Sequence, residues 1–169
     1  MRPSKNDYAE YYHNYIQELE SDNILEILEK QLNENLELFN TISEEKANTS
    51  YDAGKWSVKE LLGHMIDTER IFAYRALCIA RGEKQSLPGM EQDDYVKEAE
   101  FNKRSFKSLV DEYGLLRRSD LSLFHSFGEK ELNKRGTANN SDVTVRAILF
   151  IIAGHELHHI KVLKERYLN

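Results

Sequence analysis

Apolar residues recur at intervals of three and four through most of the chain, and no segment alternates regularly between apolar and polar residues. Intervals of three and four place side chains on one face of an α-helix, whereas alternation indicates a half-buried β-strand. The pattern predicts one short tyrosine-rich helix followed by four long helices. They cover about residues 8–19, 23–39, 58–81, 103–127 and 143–167. We therefore expect an all-α protein, a four-helix bundle that forms a single domain over residues 1–169.

The second long helix has well-defined ends in the sequence. Ser57-Val58-Lys59-Glu60 fits a capping box, in which the Ser57 hydroxyl accepts a hydrogen bond from the Glu60 amide and the Glu60 carboxylate accepts one from the Ser57 amide. Trp56 and Leu61 occupy the two positions of a hydrophobic staple. Gly82 follows the last part of the apolar stripe, as expected at the C-terminus of a helix.

The segment between the second and third long helices is about twenty residues long and includes Leu87-Pro88-Gly89 and the acidic residues 91–94. Connections between the helices of a bundle are usually shorter than this, so we expect a crossover that contains one short helix. Residues 128–140 are polar and are predicted to form a loop. Ser141 or Asp142 is then expected to cap the last helix.

Composition argues against several classes of protein. The net charge is −6 and no lysine- or arginine-rich run occurs, so nucleic acid is not expected as a partner. The longest apolar run, residues 147–153, is too short to cross a membrane, and the N-terminus lacks the apolar segment of a signal peptide. Cys78 is the single cysteine, so no intrachain disulfide can form. A cytoplasmic protein without a membrane or nucleic-acid partner is expected.

The segment His155-Glu156-Leu157-His158-His159 carries the clearest chemical signal. On a helix, His155 and His159 lie one turn apart on the same face, so both can bind one metal ion. The segment also matches the H-E-x-x-H pattern of zinc peptidases, in which the Glu acts as general base. A third interpretation is a pair of core histidines that are hydrogen-bonded to carboxylates.

The peptidase interpretation requires a third ligand, which usually follows the motif, and a sheet edge that holds an extended substrate. Only residues 160–169 follow His159, and no strand is predicted. The helix geometry also directs Glu156 away from the histidine pair, so we do not assign it as a general base. His158 lies about 100° around the helix from His159 and is expected at the rim of the site.

His64 is the candidate third ligand. It lies about two turns inside the second long helix, beside the apolar stripe that includes Leu61, Met65 and Phe72. A lone histidine there is more often structural, but a facing His-x-x-x-His pair favours a metal site. Three imidazoles leave coordination positions open, as in catalytic rather than structural metal sites. His13 and His125 lack companions at metal-binding spacing and are expected at the surface or rim.

Two segments, Gly54–His64 and Gly154–His159, together with Leu87-Pro88-Gly89, resemble the DinB/YfiT-like superfamily over about residues 10–168. The resemblance implies a four-helix bundle and one divalent transition metal held by three histidines. Residue by residue, these histidines are His64, His155 and His159. Zinc and nickel are the first candidates for this metal. The family habit and the tyrosine-rich N-terminal segment also suggest a homodimer.

The resemblance also implies a function. Better understood branches of the superfamily transfer small thiols, such as bacillithiol or mycothiol, to electrophiles, and many other members carry the description of metal-dependent hydrolases. A thiol at the open metal position would be deprotonated and attack an electrophile, whereas water there would lead to hydrolysis. Thiol transfer is the first expectation, with small thiols and electrophiles as partners. The alternatives are a hydrolase and a non-catalytic bundle that binds a metal or a ligand.

A thiol that carries carboxylates would need cationic side chains near the metal. The cationic residues considered for that role are Arg75, Arg104, Arg118 and Arg146. Most arginines on helices are solvated, so each is only a candidate.

Overall fold

The computed structural model of the protein describes all 169 residues. Its α-helices are α1 (His13–Gln17), α2 (Ile24–Asn40), α3 (Glu44–Ala47), α4 (Val58–Arg81), α5 (Gln92–Ala99), α6 (Phe106–His125), α7 (Glu129–Leu132) and α8 (Val145–Val162). The strands β1 (Arg135–Ala138) and β2 (Ser141–Thr144) form one antiparallel hairpin. Short 3₁₀ turns cover Lys5–Asp7, Glu10–Tyr12 and Phe101–Lys103, and a π-helical turn, Leu163–Tyr167, extends α8. No helix is both long enough and apolar enough to span a bilayer.

The four long helices form a closed ring in which α2 packs on α6, α6 on α4, α4 on α8 and α8 on α2. Glu44 binds Lys59 at the start of α4 and the Phe106 amide at the start of α6, so these two helices begin at the same end. At the other end of the pair, Arg81 lies over the ring of Phe127. Helices α4 and α6 are therefore parallel, and the long segment between them is a crossover, as predicted.

The relative directions of the remaining helix pairs follow from individual hydrogen bonds. Tyr167, just after α8, donates a hydrogen bond to the carbonyl of Trp56, just before α4, so α8 and α4 are antiparallel. Gln31 and Asn35 of α2 bind successive turns of α8, so these helices are parallel. Along the chain, the directions of the long helices are up, down, down and up. The prediction of a four-helix bundle is confirmed.

Helix α8 lies at the centre of the molecule. Every residue from Val145 to Gly154 is buried, on all faces of the helix. The sequence predicted a single inward stripe, and the difference arises because α1 covers the outer face of α8. Gly154 permits this contact, since a Cβ there would overlap the carbonyl oxygen of Tyr15.

The predicted ends of α4 are correct. The Glu60 amide donates to Ser57 Oγ at 3.1 Å, and the Ser57 amide donates to Glu60 Oε2 at 2.7 Å. Gly82 follows the helix with φ of 97°, a conformation that glycine adopts at little cost. Helix α6 is shorter than predicted, since Ser105 caps it and it runs only from Phe106 to His125.

The prediction of a loop over residues 128–140 and of no strands is wrong in part. The chain forms α7 and then the β1–β2 hairpin, whose turn residues Asn139 and Asn140 have φ of 49° and 58°. Asparagine tolerates this left-handed conformation, and two such residues in a row form the tight turn that joins antiparallel strands. Ser141 and Asp142 therefore belong to β2, and Thr144 caps α8 in their place, accepting from the Ala147 amide at 3.2 Å.

Candidate metal centre

The antiparallel packing of α4 and α8 brings the three predicted histidines together. His64 lies near the start of α4, and His155 and His159 lie near the end of α8. The Nε2 atom of His155 is 3.0 Å from Nε2 of His64 and 3.0 Å from Nε2 of His159. One nitrogen from each ring lies within 4.8 Å of the other two. The three nitrogens thus converge on one point.

The chemistry of these donors fits a metal ion. His155 Nε2 faces two other ring nitrogens, and one proton on it can satisfy only one of them. Burial lowers the pKa of His64 to about 4 and, with repulsion from the neighbouring histidines, lowers that of His159 to about 3. The pKa of His155 is also lowered well below its usual value, mainly by burial. The rings are therefore neutral at neutral pH, which is the form of histidine that binds metals.

Aromatic and hydroxyl groups pack against two of the three rings, those of His64 and His155. The Trp56 ring lies against His64 with centroids 4.8 Å apart, and Tyr15 meets His155 edge-on at 5.9 Å. Thr68 Oγ1 is 3.5 Å from Nδ1 of His64, the ring nitrogen that faces away from the other two histidines. These contacts restrict the orientations of the rings that carry the converging nitrogens.

Two surface cavities reach the histidines. The larger, of about 490 Å³, is lined by His64 and His155 together with residues of the N-terminal segment and of the crossover. The other, of about 390 Å³, reaches His159 and His158 past Trp56. A small molecule can therefore approach the point where the three Nε2 atoms converge.

The other histidines lie outside this group. His158 is half-buried beside Tyr15, with ring centroids 5.3 Å apart, so it lies at the rim as predicted. His13 is half-buried, with Nδ1 3.2 Å from the Tyr8 hydroxyl. His125 is exposed and contacts Glu29 at 3.0 Å.

Sequence reasoning missed a buried charge network behind the histidines. Arg117 is fully buried and binds Glu69 with two hydrogen bonds of 2.5 and 2.9 Å. It also binds Glu156 through Nη2. Glu156 accepts further hydrogen bonds from Asn35 at 2.7 Å and from Tyr113 at 2.9 Å. Glu156 therefore points away from the histidines, as predicted, and its carboxylate is committed to this network.

The network connects both helices that carry the histidines. Glu69 lies five residues after His64 on α4, Glu156 is adjacent to His155 on α8, and Arg117 of α6 joins the two carboxylates. A small internal cavity of about 10 Å³ lies between His155, Glu156 and Glu69. That is about the space one water molecule requires.

The four candidate arginines do not line either cavity beside the histidines. Arg75 donates to the carbonyl of Pro88 at 2.6 Å, Arg104 pairs with Glu112 at 2.6 Å, and Arg146 pairs with Glu129 at 2.5 Å. Arg118 is exposed on α6.

The match to a family model decides the family. Residues 27–163 match the model of the DinB superfamily, and they include all four long helices from the fourth residue of α2 to the end of α8. The chain belongs to the DinB superfamily. The three converging histidines all lie within the matched part.

Two known proteins are similar to this superfamily member. A protein of Oceanobacillus iheyensis named "putative metal-dependent hydrolase" is 23% identical over 129 residues, which is 76% of this chain and 74% of that protein. The structure of YfiT from Bacillus subtilis, described as "a probable metal-dependent hydrolase with an unusual four-helix bundle topology", matches with a TM-score of 0.73 and 15% identity. The match covers 98% of this chain and 90% of YfiT, and it shows that the two share a fold.

Proposed function

We propose that this protein is a metal-dependent enzyme in which His64, His155 and His159 hold one divalent transition metal. The observation that carries the proposal is the convergence of three neutral imidazole nitrogens beside a surface cavity of about 490 Å³. Zinc and nickel are the first candidates, and imidazole ligands also suit iron and cobalt. The descriptions of the two relatives as metal-dependent hydrolases support a metal-dependent activity.

A site with three protein ligands leaves at least one coordination position for water or substrate. When bound by the three histidines, the metal would act as a Lewis acid that lowers the pKa of a water or a thiol and polarises a carbonyl group. The protein keeps the three rings neutral mainly through burial, and Trp56 and Tyr15 pack against the rings of His64 and His155.

Hydrolysis is the reaction that the cavity favours. A thiol that carries carboxylates needs a cationic side chain, and no lysine or arginine lines the large cavity, whereas Lys55 lines the smaller cavity beside His159. Water needs no such cationic side chain. Thiol transfer is the second candidate, because the aromatic side chains of Tyr11, Tyr12, Tyr15 and Phe72 in this cavity suit an apolar electrophile.

The first test is metal content per chain by elemental analysis of wild-type protein and of His64→Ala, His155→Ala, His159→Ala and His158→Ala. We expect about one transition metal in the wild type, loss in the first three variants and retention in His158→Ala, because only His158 lies outside the converging group. Wild-type protein that takes up neither zinc nor nickel contradicts the proposal. Equal loss in His158→Ala contradicts the ligand set.

The second test separates the reactions on metal-loaded protein. Turnover of esters or amides without added thiol indicates hydrolysis, and thiol-dependent loss of a haloaromatic compound indicates thiol transfer. Bound metal with neither activity across both screens favours the non-catalytic bundle.

A further inference from the structure

The wall of the large cavity is aromatic. Tyr11 meets Tyr12 edge-on with centroids 5.1 Å apart, and it meets Tyr15 edge-on at 6.1 Å. Tyr12 in turn meets Phe72 of α4 edge-on at 5.9 Å. Because these contacts are close to perpendicular, the four rings lie in different orientations along this wall. Aromatic faces attract cations through the negative charge density above the ring.

The charged groups that line the same cavity are all acidic. Its fifteen lining residues include Glu91 and Asp93 and no lysine or arginine. The side chains of Glu91 and Asp93 are exposed and form no ion pair with another residue. Burial raises the pKa of Tyr12, so its phenol stays uncharged and acts as an aromatic surface.

One cation lies close to this wall without belonging to the cavity. The Arg75 guanidinium is 5.0 Å from the centroid of the Phe72 ring and donates to the carbonyl of Pro88. It lines an adjoining small cavity, which shares Tyr12 and Phe72 with the large one and also contains Asp142. No cationic side chain of the protein therefore lines the large cavity beside its two carboxylates.

We infer that the large cavity binds small molecules that carry an ammonium group, and that the substrate of this enzyme belongs to this class. The statement about the substrate rests on the proposed function, whereas the binding of ammonium compounds does not. A volume of about 490 Å³ is within the range of cavities that hold small ligands. Aromatic faces and carboxylates together recognise an ammonium group, and His64 and His155 in the same cavity place it beside the proposed metal centre.

The test compares three probes of similar shape on zinc-loaded protein by isothermal titration calorimetry at about pH 7.5. Benzylammonium is cationic, benzyl alcohol is neutral and benzoate is anionic. We expect benzylammonium to bind about tenfold more tightly than benzyl alcohol, in line with the strength of cation–aromatic contacts. Equal binding of the amine and the alcohol overturns the inference. Because a carboxylate can coordinate zinc, benzoate is compared on metal-free protein, where binding tighter than that of benzylammonium also overturns the inference.

Two double variants test whether the preference for benzylammonium depends on the carboxylates of the cavity. Glu91→Gln/Asp93→Asn removes the two carboxylates of the cavity, and Asp94→Asn/Glu98→Gln removes two exposed carboxylates of α5 that line none of the described cavities. Both change the net charge by the same amount. We expect the first pair to abolish the preference for benzylammonium and the second to keep it. Equal effects of both pairs would indicate the overall charge of the protein and would overturn the inference.

A matched pair of single variants tests the contribution of the aromatic side chains to benzylammonium binding. Tyr11→Leu removes a cavity ring that is 73% exposed, and Tyr74→Leu removes a ring that is 57% exposed and lines none of the described cavities. Only Tyr11→Leu should weaken benzylammonium binding. Equal affinities of the two variants contradict a role for the aromatic wall.

Metal content measured on each sample separates the two proposals. Full metal occupancy without a preference for benzylammonium overturns the cavity inference and leaves the metal-dependent enzyme standing. A preference for benzylammonium in protein that cannot bind zinc or nickel supports the binding site and contradicts the proposed function.

Discussion

Asp120 is an unusual carboxyl group in the core of the bundle. It is buried, its Oδ2 atom has no hydrogen-bond partner, and it lies in the field of the Glu69 and Arg117 charges. Burial, followed by repulsion from Glu69, raises the pKa of Asp120 to about 7. In an unfolded chain an aspartate has a pKa of about 3.9. Between these two values, the folded state therefore holds a proton that the unfolded state has lost.

This difference predicts the sign of a pH effect. Because the folded state binds more protons between about pH 4 and pH 7, the contribution of Asp120 to the free energy of unfolding falls as the pH rises through this range. We expect Asp120→Asn to stabilise the protein relative to wild type more at pH 8 than at pH 5. Urea unfolding at both pH values measures this difference. Asp111→Asn, an exposed change on the same helix, should show no such dependence.

Single residues also show where sequence reasoning succeeds and where it stops. His155 and His159 share a helix face, so their proximity follows from spacing alone, and His64 was selected because it borders an apolar stripe. Glu69 lies on that same stripe, between Met65 and Phe72, and a charge at such a position signals a buried ion pair. Its partner Arg117 was not predictable, because no local pattern shows which helix packs against which.

At the scale of elements, Arg117 holds three helices together. It is fully buried between Glu69 of α4 and Glu156 of α8, so removing its charge leaves two buried carboxylates without a cation. We expect Arg117→Met to lower the free energy of unfolding by about 3–5 kcal/mol. Arg118→Met, the exposed neighbouring residue, should change it by about 0.5 kcal/mol or less. Urea unfolding distinguishes the two, and equal stabilities of the variants would contradict a role for the network.

The N-terminal cap of α4 is a second local interaction whose contribution to the free energy of unfolding can be measured. Ser57 accepts from the Glu60 amide and also donates to Asn102 of the crossover at 2.7 Å, whereas Glu60 contributes one capping bond. We expect Ser57→Ala and Glu60→Ala each to cost about 0.5–2 kcal/mol, with the larger loss for Ser57→Ala and with metal binding retained. Chemical unfolding and elemental analysis test both points. Ser119→Ala, an exposed change within α6, is the control.

Most long helices were predictable because capping boxes, glycine termini and periodic apolar stripes are local signals. The β1–β2 hairpin was not predicted, because each of its strands has only four residues and too few apolar side chains for an alternating pattern. The signal that was available is the Asn139-Asn140 pair, which suits a tight hairpin turn. Because the hairpin was not predicted, the cap of α8 was expected at Ser141 or Asp142, whereas the structure has it at Thr144.

At the scale of the whole molecule, the proposed metal would join the start of α4 to the end of α8, helices whose sequences are far apart. A metal that binds only the folded state stabilises it by about 2.7 kcal/mol when its free concentration is 100 times its dissociation constant. We expect zinc to raise the melting temperature of the wild type and a chelator to lower it. His64→Ala should show neither shift. Differential scanning calorimetry measures each case, and an equal shift in His64→Ala would contradict a site that requires this residue.

The overall bundle was predictable from helix count and the long crossover, but the ring order of the helices was not. Consecutive helices need not be neighbours: α2 and α4 lie opposite each other in the ring, as do α6 and α8. This order depends on which apolar and charged faces are complementary, and the Arg117 network is one example.

Gly154 allows α1 to pack on α8, and this contact joins two parts of the chain with different proposed roles, metal binding and substrate selection. The proposed metal ligands lie on the long helices of the bundle, whereas three of the four aromatic rings of the cavity belong to residues 11–15, outside those helices. Because Tyr15 packs against His155, substitutions of Tyr11 or Tyr12 are the ones that can alter which compounds are accepted without disturbing the framework that holds the reactive centre. Within such an arrangement, descendants of one ancestor can diversify in substrate preference by changing a few amino acids near the beginning of the chain.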